Sequence, residues 1–362
     1  MAWVSPLLAL AITLVVGATL FALLGKEPLA ALAVFFIEPI KNAYAWSELA
    51  VKATPLLLVA LGLSVCFRSN VWNIGAEGQF ILGAIGGGWV AMHATDETSK
   101  WILVPILLAG IVAGAVWAGI VALLRDRYNA SEILVSLMLV YVADLLLQYL
   151  VYGPWKDPAG YNFPQTITFA AATKVPKLIR GFRTDIGVLI GLGTAAALWV
   201  FMFRTYAGFQ LQVGGLAPAA ARYAGFSSRR ALWTALCVSG GLAGLAGALE
   251  AVGPLGQLTP YVPAGYGFAA IIVAFVGRLH PVGAVFAAIL MSMFYIGGEL
   301  AQSRLGLPKS LTGVFQGLLL FTLLACDTLI NYRLHWQRKS VVASAPPEPA
   351  LAKPSIKSPG NA

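Results

Sequence analysis

Charge is scarce in this chain. Asp, Glu, Lys and Arg make up 11 % of its 362 residues against 59 % hydrophobic residues, which excludes the roughly one-quarter charged chemistry of a soluble globular protein. The three cysteines, Cys66, Cys237 and Cys326, lie in or beside apolar runs without paired spacing. They read as small hydrophobes, and no disulfide framework or metal site follows. Histidine is as rare, and His93, His280 and His335 fall at separate helix ends, so no nucleophile–base set or metal-ligand cluster converges on which an enzyme could be built. No G-x-x-x-x-G-K-[ST] phosphate loop occurs, which excludes ATP binding by that route. The net charge of +9 comes from Lys and Arg placed singly or in pairs, with no aromatic-interleaved groove. Nucleic acid is therefore not expected as a partner, and the basic excess serves membrane orientation.

What the chain has in abundance is apolar sequence in runs near the length of a membrane crossing, about 20 residues. These runs define an all-α, polytopic integral membrane protein with about ten transmembrane segments. They are Leu7 to Leu24, Tyr44 to Phe67, Phe80 to Met92, Trp101 to Leu124, Ser131 to Tyr152, Ile186 to Phe203, Ala231 to Ala251, Tyr266 to Val276, Val282 to Ile296 and Ser310 to Ile330. The first lacks a basic leader and a cleavage signal and is expected to be retained. Lys26 to Ile40, bounded by Pro28 and Pro39, suits an interfacial or re-entrant piece. Residues 1–332 form one transmembrane domain on this reading, and 333–362, rich in Pro, Ala and Ser, form a disordered cytoplasmic tail.

The stretch 68–79, RSNVWNIGAEGQ, stands out between two uncharged flanks. Two readings are open: a solvent loop between short helices, or a discontinuous helix, whose break is tolerated only against protein or a wet cavity. Glu48 and Lys52 are spaced as a helical pair, either capping an interface or facing a cavity. Asp144, well inside the fifth run, must face protein or water, as a site residue or as a structural hydrogen bond. The loop 153–185 is polar, and the connection 204–230 (RTYAGFQLQVGGLAPAAARYAGFSSRR) contains an AAAR core able to make one or two helical turns. That short helix is either a linker or a surface on which a soluble partner pushes. Ten crossings put both termini on one face, and the clusters at 125–127 and 229–230 place that face in the cytoplasm.

NIGAEGQ with ILGA, then NASEILVSLML, RTYAGFQLQVGG with AAARYAGF, SGGLAGLAGALE and GYGFAAIIVAFVGRLHP follow one another in the chain. In that order they resemble permease subunits of bacterial ABC importers, in the branch for nucleosides and simple sugars, related to the ribose and branched-chain amino acid permeases. The resemblance covers about residues 5 to 332. It implies a second permease subunit, cytoplasmic ABC ATPases that use ATP, an extracytoplasmic substrate-binding lipoprotein, and residence in the bacterial inner membrane. It carries Asn73, Gly75, Glu77, Gly78 and Gln79 onto the break, and Asn129 and Glu132 onto the start of the fifth span. The five break residues, with Glu132 and Asp144, are the expected translocation-path set. An ATPase-coupling segment is implied at Arg204, Gly208, Gly215, Ala220, Ala221, Arg222 and Gly225. The chain departs from the pattern at Gln212, where relatives commonly have Arg, and at Ser136 and Val140, where many have Thr and Asn. No cofactor is expected on the chain itself.

The expected function is thus a transport subunit, not an enzyme. Two rivals remain at the level of sequence: an ion-coupled secondary transporter using Glu48, Glu77, Glu132, Asp144, Glu250 or Asp327 as proton carriers, and a channel built on broken helices. A nucleoside or sugar would need hydroxyl and amide partners, which Asn73, Gln79 and Tyr141 offer.

Overall fold

The computed structural model describes residues 4–331 except 96 and 309. The tail from 333 onward lies outside the described residues. The chain folds into α1 (Val4–Leu23), α2 (Pro28–Leu32), α3 (Ala43–Arg68), α4 (Ala76–Met92), α5 (Leu103–Tyr128) and α6 (Glu132–Tyr152). After the long loop come α7 (Ile186–Arg204), α8 (Tyr206–Leu216), α9 (Pro218–Tyr223), α10 (Ser228–Glu250), α11 (Tyr266–Val276), α12 (Pro281–Leu305) and α13 (Ser310–Asn331). No strand occurs among the described residues, only a single bridge between Lys177 and Asp185.

Helix ends follow local chemistry. The Asn42 side chain accepts the Ala45 N–H at 2.7 Å to open α3, Asp185 accepts from Gly187 at 2.9 Å to open α7, and Thr205 accepts from Gly208 at 3.1 Å to open α8. Asn129 in the left-handed region ends α5. Among the described residues, six helices are long and apolar enough to cross a membrane. The ten apolar runs each correspond to a helix, with several boundaries moved: α4 begins at Ala76, not Phe80, and α5 ends at Tyr128, not Leu124. The ninth continues to Leu305 and brings Glu299 inside α12, and α10 runs on through a π turn at Ala251–Leu255.

α3 and α10 are buried nearly throughout, whereas α5, α6 and α7 turn most of their apolar surface outward, as lipid-facing helices do. The centre is held by backbone contact. A Cβ at Gly83 would meet the Gly244 backbone, one at Gly244 the Gly110 carbonyl, and one at Gly114 the Gly240 carbonyl, so α4, α5 and α10 approach as closely as small residues allow. At the other side Phe21, Phe35, Phe294 and Phe315 form an aromatic cluster with centroids 4.7–6.3 Å apart. That cluster seats Lys26 to Ile40, which is α2 followed by a π turn and a 3-10 turn, too short to cross and anchored by the fully buried Phe35.

Candidate functional site: the helix break and the coupling end

α3 is a complete crossing, and the break lies after it. Asn70 adopts a left-handed conformation (φ 55°), the Val71 N–H bonds back to the Cys66 carbonyl at 2.9 Å, and the chain reverses. It then climbs beside α10, since Cys66 touches Ala235, Asn73 touches Ser239, and Gly83 meets Gly244. Asn73 thus stands level with Gly62 of α3, which also meets Ser239, and α4 starts inside the protein.

The climb is possible because each polar group in it is matched. Asn73, fully buried, donates from Nδ2 to Gln79 Oε1 at 2.9 Å and to Ser239 Oγ at 3.0 Å. Its Oδ1 accepts from Gln79 Nε2 at 3.1 Å and from the Gly75 N–H at 3.1 Å. The Ser136 hydroxyl receives the Ile74 N–H. Gly75 has no room for a side chain, because a Cβ would stand 2.7 Å from the Ser136 carbonyl, and one at Gly78 would stand 3.1 Å from Val140 Cα. Glu77, 3 % exposed, accepts the N–H groups of Gly265, at 2.9 Å, and Gly267, and so closes the N-terminus of α11. In chemical terms this is a clasp that holds an interrupted helix.

The remaining path candidates lie elsewhere. Glu132 pairs with Arg125 at 3.2 Å beside the coupling segment, and Asp144 accepts from Gln148 Nε2 at 2.8 Å on its own helix. Tyr141 is exposed on the outer face of α6. The expected Glu48–Lys52 pair is not formed. Glu48 meets Arg183 at 3.2 Å and Lys52 meets Glu299 at 3.4 Å, because the long loop and the extended α12 each bring a closer partner.

The segment 204–230 folds as the helix pair α8–α9. Gly208 abuts the Phe201 carbonyl at the end of α7 and Gly215 abuts the Arg68 carbonyl at the end of α3, so Gly215 serves close approach and not a turn; Gly225, at φ +77°, does make the turn out. Arg204 lies over Trp199, 5.5 Å from the ring centroid. Gln212 links inward, accepting from Arg68 at 3.2 Å and donating to the Met202 carbonyl at 2.5 Å. Arg68 also donates to the Leu279 carbonyl at 2.7 Å in the turn between α11 and α12. Ala221 is buried within the chain, whereas Ala220 and Arg222 face out. Beside this pair lies a cavity of ≈ 580 Å³ bordered by Arg125, Glu132, Arg222 and Arg229.

A helix interrupted inside an apolar bundle, joined to a short helix pair at one end, is an architecture that suits a transport permease. The family of permease components of the branched-chain amino acid transport system matches residues 45–324, and the chain belongs to that family. It is 33 % identical to a glucose ABC transporter permease of Haloferax volcanii over 92 % of this chain and 90 % of that one. It is 28 % identical to a guanosine ABC transporter permease of Bacillus subtilis (85 % and 89 %), and 27 % identical to a nucleoside ABC transporter permease of Lactococcus lactis (87 % and 89 %). The chain is a permease subunit of the ABC class, and the ion-coupled carrier is set aside.

Proposed function

We propose that this chain forms the translocation path of an ATP-driven importer for nucleosides or simple sugars, worked by a separate cytoplasmic ATPase that docks on α8 and α9. The observation that carries this reading is the exposure of two large apolar side chains, Leu216 at 85 % at the end of α8, whose backbone is seated on α3 and α7, and Tyr223 at 96 % on α9, which packs on α8. Apolar knobs on a rigid base suit a protein partner more than water. The relatives are named for glucose, guanosine and nucleosides, which supports the solute class. A second permease subunit and an extracytoplasmic lipoprotein complete the assembly on this reading, with both termini cytoplasmic in the bacterial inner membrane.

The test is co-purification with the ATPase. Burial of a Tyr-sized side chain contributes about 1.5–3 kcal/mol, so Tyr223→Ala should weaken ATPase retention roughly ten- to hundredfold while leaving the permease folded. Full retention of the ATPase by the Leu216→Ala, Tyr223→Ala double variant would reject α8–α9 as the docking surface. Single cysteines at Gly160 and Ser227 should label from opposite faces of the membrane, and labelling of both from outside would overturn the orientation.

A further inference from the structure

The side chains of Asn73, Glu77 and Gln79 are bonded to one another, to Ser239 and to the backbone of Gly75, Gly265 and Gly267, so the path is sought among other groups. Two cavities meet at Glu299. One, of ≈ 860 Å³, opens at the end of the bundle that carries Arg183; the other, of ≈ 420 Å³, lies between α11, α12 and α13. Both have the size of ligand pockets, about 300–1,000 Å³. Between them runs a ladder of donors and acceptors. Lys52 pairs with Glu299 at 3.4 Å and donates to Tyr266 Oη at 3.1 Å, and that hydroxyl lies 3.5 Å from Glu250. Beside the smaller cavity Tyr295 stands with its ring centroid 5.5 Å from that of Tyr266, and the Gln316 side chain lies against the Tyr295 hydroxyl, its buried amide nitrogen making no hydrogen bond of standard geometry among the described residues. A buried donor without a well-formed bond beside a cavity is a costly arrangement in an empty fold and a useful one when a ligand oxygen fills it.

We propose that the solute crosses through this groove, past Glu299 and against Tyr295 and Gln316, and not through the break. The proposal rests on the importer reading and specifies its solute further. Four carboxylates and four Lys or Arg side chains line the larger cavity, so its formal charge balances. Such a mouth suits an uncharged solute with hydroxyls for the ladder and a flat face for the tyrosines, and does not attract its phosphorylated form. Glu77 then has a second meaning: through Gly265, which lines the inner cavity, it fixes one wall of the groove.

The test uses the assembled transporter in proteoliposomes, with Cys66, Cys237 and Cys326 replaced by Ala. Ala269→Cys and Gly313→Cys in the groove should react with a charged, water-soluble methanethiosulfonate. Glucose or guanosine should slow that reaction at least fivefold. Ser239→Cys beside the clasp and Val112→Cys on the outer face of α5 should stay unreactive. Gln316→Leu should raise the half-saturating solute concentration for uptake by about five- to tenfold, as loss of one hydrogen bond implies. Groove cysteines that are inert, or that react unprotected by either solute, overturn the proposal, as does protection of Ser239→Cys or unchanged half-saturation of Gln316→Leu. ATP-dependent uptake by the cysteine-free parent separates the two levels. With it intact, failure of the labelling removes the groove alone, whereas uptake without the ATPase removes the importer reading itself.

Discussion

Glu77 offers the sharpest perturbation of the clasp. Its two carboxylate oxygens accept the N–H groups of Gly265 and Gly267, and the side chain is almost wholly buried. Glu77→Gln keeps the size but turns one acceptor into an NH₂ donor that confronts an N–H donor. One hydrogen bond to a charged group, about 1.5–3 kcal/mol, is lost, and a buried backbone N–H is left unpaired. Glu77→Leu removes both acceptors, and doubling the single loss gives about 3–6 kcal/mol. The order of severity is wild type, Gln, Leu. Denaturation of the purified permease by SDS, followed by far-UV circular dichroism, reads the stability difference, and uptake per folded molecule reads function. A Gln variant as stable as wild type would refute the clasp. Full stability with abolished uptake would point instead to a proton-carrying carboxylate.

The close backbone contacts predict opposite signs for one type of change. Gly244→Ala drives a methyl into the Gly110 carbonyl and should cost about 1–3 kcal/mol, whereas Gly193→Ala, on a helix with nothing nearby, should stabilise by about 0.5–1 kcal/mol; SDS midpoints check both. Ala221→Trp should unfold the coupling end itself and lower the yield of permease, while Ala220→Trp should leave yield intact and displace the ATPase. A double-mutant cycle on Glu48 and Arg183, a partly exposed pair, should give a coupling of only about 0.2–1 kcal/mol. Arg68→Ala should let the ATPase turn over while uptake falls, measured side by side in proteoliposomes.

Much of the fold was legible because membrane helices announce themselves by unbroken apolar length. The break was legible as well, since Asn73, Glu77 and Gln79 stand between uncharged flanks. What Glu77 and Asn73 touch was not, because Gly265 and Ser239 lie far along the chain and glycine and serine carry no distinguishing signal in apolar sequence. The Glu48–Lys52 pair shows the limit of local spacing: either helical neighbour can be outbid by a tertiary partner, here Arg183 and Glu299. Glu299 itself was hidden by placing the end of its helix at Ile296. Gln316 could have been noticed as an amide inside the last apolar run, yet only the cavity beside it gives that amide a meaning. In the coupling segment the short helix was legible, but which of two adjacent alanines faces inward depends on how Gly208 and Gly215 seat it.

These contacts also say how work at one end could reach the groove. α8 presses on the last carbonyl of α3 through Gly215 and holds Arg68 through Gln212. Arg68 in turn grips the Leu279 carbonyl just beyond the C-terminus of α11, while Glu77 grips the N-terminus of the same helix. α11 is therefore fastened at both ends, by two residues that flank one break, and its Gly265–Ala269 face forms a wall of the inner cavity. A rigid-body shift of α8 and α9 acts on Arg68 first, and the clasped break has no slack in which to absorb it, since its buried polar groups are paired and its glycines are at contact distance. The movement has to appear as a displacement of α11 against α12 and α13, which changes the width of the groove beside Tyr295 and Gln316. This is why Arg68→Ala, which cuts the link between Gln212 of α8 and the end of α11 while keeping the exposed Leu216 and Tyr223, should separate ATP hydrolysis from uptake, and why a variant that kept the two in step would remove α11 as the transmitting element.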